Sequence, residues 1–406
     1  MQKYNYQDLV IFIHFYQVVV LPDNVDHSKG EIPMARTREE LVAAYEPLCK
    51  QFHLLPVAVT PFYKKKVDEE IAAIGPGGPL YKCVYPTEAK VGDASKGIEP
   101  LHGPGEVEDF VQEYNHYPVA GNTDIVRQYS NRLLFMTTEH CCSNCAYCFR
   151  TIKLAESDGI TIENSLDQLI EYVDAHKELE EVILSGGDPV LVPLDKLRLI
   201  FEKIKSINIP HIRLHTRSIV YNPYVITQEF IDLMAEFDVR VVFHIMHPYE
   251  IDDVVKAKVE QFRKANVRMY NQNPILAGIN DSPFVLKKLF TMLDDMRIRQ
   301  MSIFTPDIIA FSATYRIPYQ KICDIFDYMN YHSSAWVNSV RLVSAIPPGK
   351  GRRENIKKWD KETGVITFEI NGVEFEYVDF PEELYHEPEH LLWKEELGLE
   401  KANPRL

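Results

Sequence analysis

The stretch Glu139-His-Cys-Cys-Ser-Asn-Cys-Ala-Tyr-Cys-Phe-Arg150 places four of the chain's seven cysteines within eight residues. Thiolates grouped this tightly bind metal. Cys141, Cys145 and Cys148 offer three of them on one loop, enough to hold three irons of a [4Fe–4S] cluster and leave the fourth open to a ligand. A tetrahedral structural zinc needs a fourth protein ligand, and Cys142 or His140 could supply it. No export signal frames the N-terminus, which points to a reducing, cytoplasmic setting where clustered cysteines bind metal more often than they form disulfides. A second chemical patch, Leu184-Ser-Gly-Gly-Asp-Pro189, closes the next apolar run. Gly186 and Gly187 at a strand end let a ligand approach the backbone, and Asp188 adds an acceptor. A plain turn is the alternative reading of that patch.

Both patches fall into a regular alternation that must position them. Arg132–Thr138 reads as a strand, followed by helical spacing through Leu166, Leu169, Ile170 and Val173. Strand-like runs recur at Glu181–Ser185, His211–His215, Val239–His244, Val267–Tyr270 and Gln300–Phe304, each followed by a helical pattern. A seventh run lies at Val340–Ser344. Parallel neighbours need crossover helices, so this alternation predicts an α/β fold with a parallel sheet. Ligands in such folds bind at the carboxyl ends of the strands, where the cysteine loop falls. Residues 1–125 read as a mainly helical region, 126–350 as the α/β unit and 351–406 as an extension. Within that extension Asn371-Gly372 joins two strands as a hairpin, and the last twenty-odd residues read as an acidic helix.

The formal charge of −15 on 406 residues argues against nucleic-acid binding, which needs a basic surface. Leu9–Leu21 is the one candidate membrane segment. It is 13 residues long, carries His14 and Gln17, and falls short of the roughly 20 apolar residues a span requires, so it reads as a buried element. Cys49, Cys83 and Cys323 stand apart and read as small core residues.

The cysteine spacing, with aromatic Tyr147 before the last thiol and a glycine pair closing the next strand, resembles the radical S-adenosylmethionine (SAM) superfamily. The resemblance implies a partial (β/α)6 TIM-like barrel, a [4Fe–4S] cluster on Cys141, Cys145 and Cys148 with Cys142 spare, and SAM held near Gly186, Gly187 and Asp188. The longer stretch from Tyr129 to Lys350 is similar to one branch, the lysine 2,3-aminomutases, which add pyridoxal 5′-phosphate (PLP). The segments that carry this are Tyr129-Ser-Asn-Arg-Leu-Leu, Thr216-Arg-Ser, His244-Ile-Met-His-Pro-Tyr-Glu250, Asn271-Gln-Asn and Gly278-Ile-Asn-Asp281. The resemblance makes Arg132, Arg217, His247 and Gln272 PLP-pocket residues, Arg150 the grip on the substrate carboxylate, and Lys350 the lysine that binds PLP covalently. Asp307 corresponds to one of two aspartates that bind the distal ammonium of lysine; Ser344 stands in place of the other.

The chain also departs from that branch. Two prolines stand in the loop Ser344-Ala-Ile-Pro-Pro-Gly-Lys-Gly, and Lys350 arrives one residue early. No cysteine follows Cys323, and Ser282 replaces a cysteine of the branch's intersubunit zinc site. The resemblance implies an isomerase that converts a lysine- or arginine-like α-amino acid to its β-isomer through hydrogen abstraction by a 5′-deoxyadenosyl radical. Its partners would be the amino acid and a flavodoxin- or ferredoxin-like electron donor, with no membrane or nucleic acid and a homo-oligomer as an option. A PLP-independent radical SAM dehydratase or epimerase and a non-catalytic zinc-binding protein are the alternatives.

Overall fold

The structure, a computed structural model, describes residues 36–402 apart from 158 and 161. The run Leu9–Leu21 lies outside the described residues. Nine strands form one sheet in sequence order: β1 (Ile125–Tyr129), β2 (Arg132–Thr138), β3 (Glu181–Gly186), β4 (His211–Thr216), β5 (Arg240–Phe243), β6 (Met269–Pro274), β7 (Arg299–Phe304), β8 (Arg341–Ile346) and β9 (Gly349–Gly351). The strands from β2 to β8 are parallel to one another. β1 and β9 pair antiparallel at the two edges. Gln128 on β1 donates its side-chain amide to Ile346 O at the end of β8 and to Pro347 O just past it, so the edges approach each other. The architecture is the expected partial barrel, with the seventh strand-like run entering as β8.

Strands covered on both faces read as nearly continuous apolar runs. Register explains why: Phe135, Leu184, Leu214 and Val241 lie side by side across four strands, and none has measurable exposure. The helices between strands bury one stripe each. In Ile162–Ala175 that stripe is Leu166, Leu169 and Val173, at the 3- and 4-residue spacing of a helix face. The helices before the barrel share its core, since Leu41, Tyr45, Tyr63, Val67 and Tyr81 are buried within the same cluster. Their starts are written locally. Thr37 and Glu40 form a capping box at Arg38–Phe52, and Thr60 caps Pro61–Ile74. Cys49, Cys83 and Cys323 are buried.

After β9 the chain forms a three-stranded antiparallel sheet, β10 (Ile356–Asp360), β11 (Val365–Ile370) and β12 (Val373–Val378). The β11–β12 turn is Asn371-Gly372, with φ of 51° and 80°, as a two-residue hairpin requires. Ile366, Phe368 and Tyr377 pack with Phe110, Ile308 and Ile346 into a second cluster. The expected C-terminal acidic helix is reduced to four residues, Trp393–Glu396. Buried Leu391 and Trp393 strap this segment to the body instead, and Gly398 (φ 69°) follows the helix. Anchoring to the barrel overrides helix propensity here. Among the described residues no helix is long and apolar enough to cross a membrane.

Candidate active site

The loops after β2 to β7 meet over one end of the sheet and enclose a cavity of about 300 Å³. Cys141, Cys145 and Cys148 all line it, as do Arg150, Gly186, Gly187, Asp188, Arg217, Gln272 and Asp307. Cys142 is not among the lining residues; its Sγ lies 3.3 Å from Ser218 Oγ. The cysteine loop is fixed from behind by the N-terminal segments. Asn144 N donates to Ala58 O, Ala146 N to Cys83 O, and Thr60 N to Ser143 Oγ, at 2.9–3.0 Å. Burial, then the neighbouring Cys145, pushes Cys148 up to about 12, and burial likewise raises Cys141. Half-buried thiols of this kind are donors that a bound metal deprotonates. Among the described residues no three His, Cys, Asp or Glu side chains converge as they would around a single ion. All three thiols line the same cavity, and thiols are the donors an iron–sulfur cluster takes.

Gly186 and Gly187 close β3 against the cysteine loop. A Cβ on Gly186 would stand 2.6 Å from Thr138 O, and one on Gly187 2.3 Å from His140 O. No larger residue fits, so the bare backbone faces the cavity. Asp188, expected to accept from a ligand, is heavily engaged within the protein. Its Oδ2 accepts from Thr216 Oγ1, Arg217 N, Ser218 N and Ser218 Oγ at 2.8–3.0 Å, and its Oδ1 accepts from Val190 N. It braces the ends of β3 and β4 together. Arg217 pairs with the fully buried Glu250 at 2.6 Å, and Glu250 also accepts from Tyr63 OH.

Arg150 is buried and already holds a carboxylate. Glu113, on the short turn Glu113–His116, accepts from its Nε through both oxygens at 3.1 Å and from its Nη2. Nη1 points to Ser185 Oγ at 3.4 Å, so the far edge of the guanidinium remains turned to the cavity. Burial alone would raise the Glu113 carboxyl, but Arg150 overrides this and holds it below the usual range. Among the described residues Asp307 has no such partner. Burial, only partly offset by Arg150, pushes it up to about 7.

Three sequence-predicted residues lie outside the cavity lining. His247 is buried at the N-cap of Pro248–Glu250, where its Nε2 donates to Leu391 O and its Nδ1 accepts from Tyr249 N. It anchors the C-terminal strap, because the chain has already turned away from the cavity after β5. Two histidines do line the cavity, His244 and His215 near the end of β4, with Nε2 of the first 2.9 Å from Nδ1 of the second. Burial, then the surrounding arginines, holds both rings neutral. Lys350 sits on β9, paired with cavity-lining Ala345, its Nζ 5.2 Å from the Phe304 ring centre. Burial, then the charges of Arg132 and Arg213, lowers its amine to about 8. Arg132 stacks on Tyr129 at 3.8 Å; Arg213 pairs with Glu181 at 3.0 Å and leaves its buried Nε without a partner among the described residues. Ser344 is buried but does not line the cavity.

Sequence reasoning passed over Glu113, Arg213, His215 and His244. The two histidines carried a readable signal, since each ends a predicted strand at the level of Gly186. Glu113 carried none, being 37 residues from Arg150 in a loop without periodicity.

Residues 135–283 match the family model described as the radical SAM superfamily. The chain is similar to an L-lysine 2,3-aminomutase of Acetoanaerobium sticklandii, 28% identical over 91% of this chain and 83% of that one. It is also similar to the L-lysine 2,3-aminomutase of Clostridium subterminale, 29% identical over 81% and 74% of the two chains. A glutamate 2,3-aminomutase of Clostridioides difficile is 27% identical over 73% of this chain and 66% of that one.

Proposed function

From the premise that the chain carries a radical SAM domain and is related over most of its length to lysine 2,3-aminomutases, we propose that it is a PLP-dependent 2,3-aminomutase. Its substrate is a free α-amino acid with a cationic or polar tail. The domain implies a [4Fe–4S] cluster and SAM, which together supply a 5′-deoxyadenosyl radical able to remove a hydrogen atom from an unactivated carbon. Cys141, Cys145 and Cys148 are the thiolates that would hold the cluster, and the bare backbone at Gly186-Gly187 leaves SAM room against it. The observation that carries the PLP reading is the placement of Lys350. Its amine, lowered by burial and then by Arg132 and Arg213, sits on the strand that pairs with a cavity-lining residue. A lysine nucleophile needs a lowered amine to act near neutral pH, and the two arginines are suited to a phosphate.

The remaining side chains sort by charge. Arg150, anchored from behind by Glu113, offers its far edge to the substrate carboxylate. Asp307, half-buried and without an ion-pair partner among the described residues, selects a cationic tail, whose charge would draw it into the ionised form, and disfavours an acidic one. The neutral His215–His244 pair shares one proton between Nδ1 and Nε2 and adds no net charge to the wall. The surrounding rings of Tyr147, Phe149, Tyr221 and Phe304 exclude water, which a radical intermediate requires. The proteins do little of the bond chemistry themselves in such systems; they position and shield it.

A reading without PLP is favoured by one fact, that Lys350 is not itself a lining residue of the cavity. Anaerobic reconstitution with iron, sulfide, SAM and PLP, followed by a panel of lysine, arginine, glutamate and neutral amino acids, separates the two. A β-amino acid formed only when PLP is present supports the aminomutase. 5′-Deoxyadenosine formation with equal yield in the absence of PLP, and no β-isomer from any member of the panel, contradicts it.

A further inference from the structure

Among the described residues three lysines are buried: Lys66, Lys90 and Lys288. Two of them are neutralised. Lys66 pairs with Asp252 at 2.9 Å, and Lys288 with Glu395 and Glu400 at 2.5 and 3.0 Å. Lys90 is the most deeply buried, at 4% exposure, and no carboxylate of the described residues lies within ion-pair distance. Its Nζ donates to two backbone carbonyls, Ala146 O at 2.8 Å and Phe311 O at 3.2 Å, and faces the rings of Tyr315 and Tyr45. The acid that acts on it most strongly, Glu106, already accepts from the backbone of Gly103, Phe311 and Ala313. A buried cation is costly unless something compensates its charge.

The carbonyls it touches identify the compensating group. Ala146 lies between Cys145 and Cys148, and Phe311 lies in the segment after β7 that also carries Asp307. Lys90, Cys145, Cys148 and Asp307 line one water-sized void of about 20 Å³ behind the main cavity. So small a gap admits about one water, and charge across it is poorly screened. A cluster held by three thiolates is anionic and gains a further negative charge on reduction.

We propose that Lys90 is a positioning residue for the iron–sulfur centre: it ties the cysteine loop to the Asp307 segment and places a fixed positive charge that eases reduction of a cluster on Cys141, Cys145 and Cys148. The step is one-electron transfer from an external low-potential reductant to the oxidised cluster, with no bond made or broken. The proposal rests on the cluster assignment, and the two fail in different measurements. Iron and sulfide content of the reconstituted wild-type protein reads the assignment; the potential reads Lys90.

The experiment is an EPR-monitored dithionite titration of the reconstituted full chain as wild type, Lys90→Gln, Lys90→Arg and Glu106→Gln. Lys90→Gln should carry wild-type iron and sulfide but reduce at a more negative potential, and Lys90→Arg should return it toward wild type. Glu106→Gln keeps the lysine, removes the negative charge that acts on it most strongly and should shift the potential the opposite way. A cluster-replete Lys90→Gln protein that reduces at the wild-type potential overturns the proposal. Should Lys90→Gln fail to take up a cluster, an unshifted potential in Glu106→Gln overturns it equally.

Discussion

A lysine meant to capture an aldehyde must present its neutral amine, and the environment of Lys350 sets how much of it exists. An ordinary lysine near pKa 10.4 is neutral in roughly one molecule in 2,500 at pH 7. With its amine lowered to about 8, Lys350 is neutral in about one in ten under the same conditions. Capture of PLP by the apoprotein at pH 7 should therefore run on the order of 200-fold faster than on an exposed lysine. It should rise about tenfold per pH unit up to about pH 8 and then level off. The causes are burial and the flanking guanidiniums, so Arg213→Gln should raise the amine's pKa, move the plateau to higher pH and slow capture at pH 7. Stopped-flow absorbance follows the rate, and borohydride reduction with peptide mapping locates the label. A rate that does not change between pH 6.5 and 9, or a reduced pyridoxyl group on any lysine other than Lys350, refutes the reasoning.

Other consequences are equally direct. Glu113→Ala leaves the Arg150 guanidinium buried without its carboxylate and should cost about 3–5 kcal/mol, read by urea denaturation at pH 7. Because the folded-state pKa of Glu113 is depressed, this contribution is present above the unfolded carboxylate's pKa of about 4.3. It is lost as pH falls through the folded value, so wild type and variant should converge in stability in acid. Cys142→Ala should keep wild-type iron and sulfide, whereas Cys145→Ala should lose them; one zinc per chain without iron in the anaerobically purified protein would contradict the cluster. Asp307→Asn should raise KM for a cationic substrate by about 10- to 100-fold, the worth of one charged hydrogen bond of roughly 1.5–3 kcal/mol, with a smaller effect on neutral analogues.

Chemistry that is contiguous in sequence was legible before the fold was known. Cys141–Cys148 and Gly186-Gly187 lie next to the strands that carry them, so strand order alone predicted that they share one end of the sheet. His247 illustrates the limit. It stands three residues from His244 in one polar run, and only the point at which β5 stops decides which ring faces the cavity. The Glu113–Arg150 pair was out of reach because its two halves meet through tertiary packing across a loop with no periodic pattern. The C-terminal tail misled for a related reason. Its charged composition suits a helix, but buried Leu391 and Trp393 bind it as a strap, a constraint local propensity does not contain.

The central claim is that a radical generated at the cysteine loop removes hydrogen from the β-carbon of an amino acid held over Asp307. It is tested most directly by supplying the reconstituted enzyme with lysine and arginine deuterated at the β-carbon and analysing 5′-deoxyadenosine by mass spectrometry. Deuterium in the 5′-deoxyadenosine, together with a β-amino acid that has retained its nitrogen, is the predicted result. Unlabelled 5′-deoxyadenosine from both deuterated substrates, at a yield equal to that without amino acid, would contradict it.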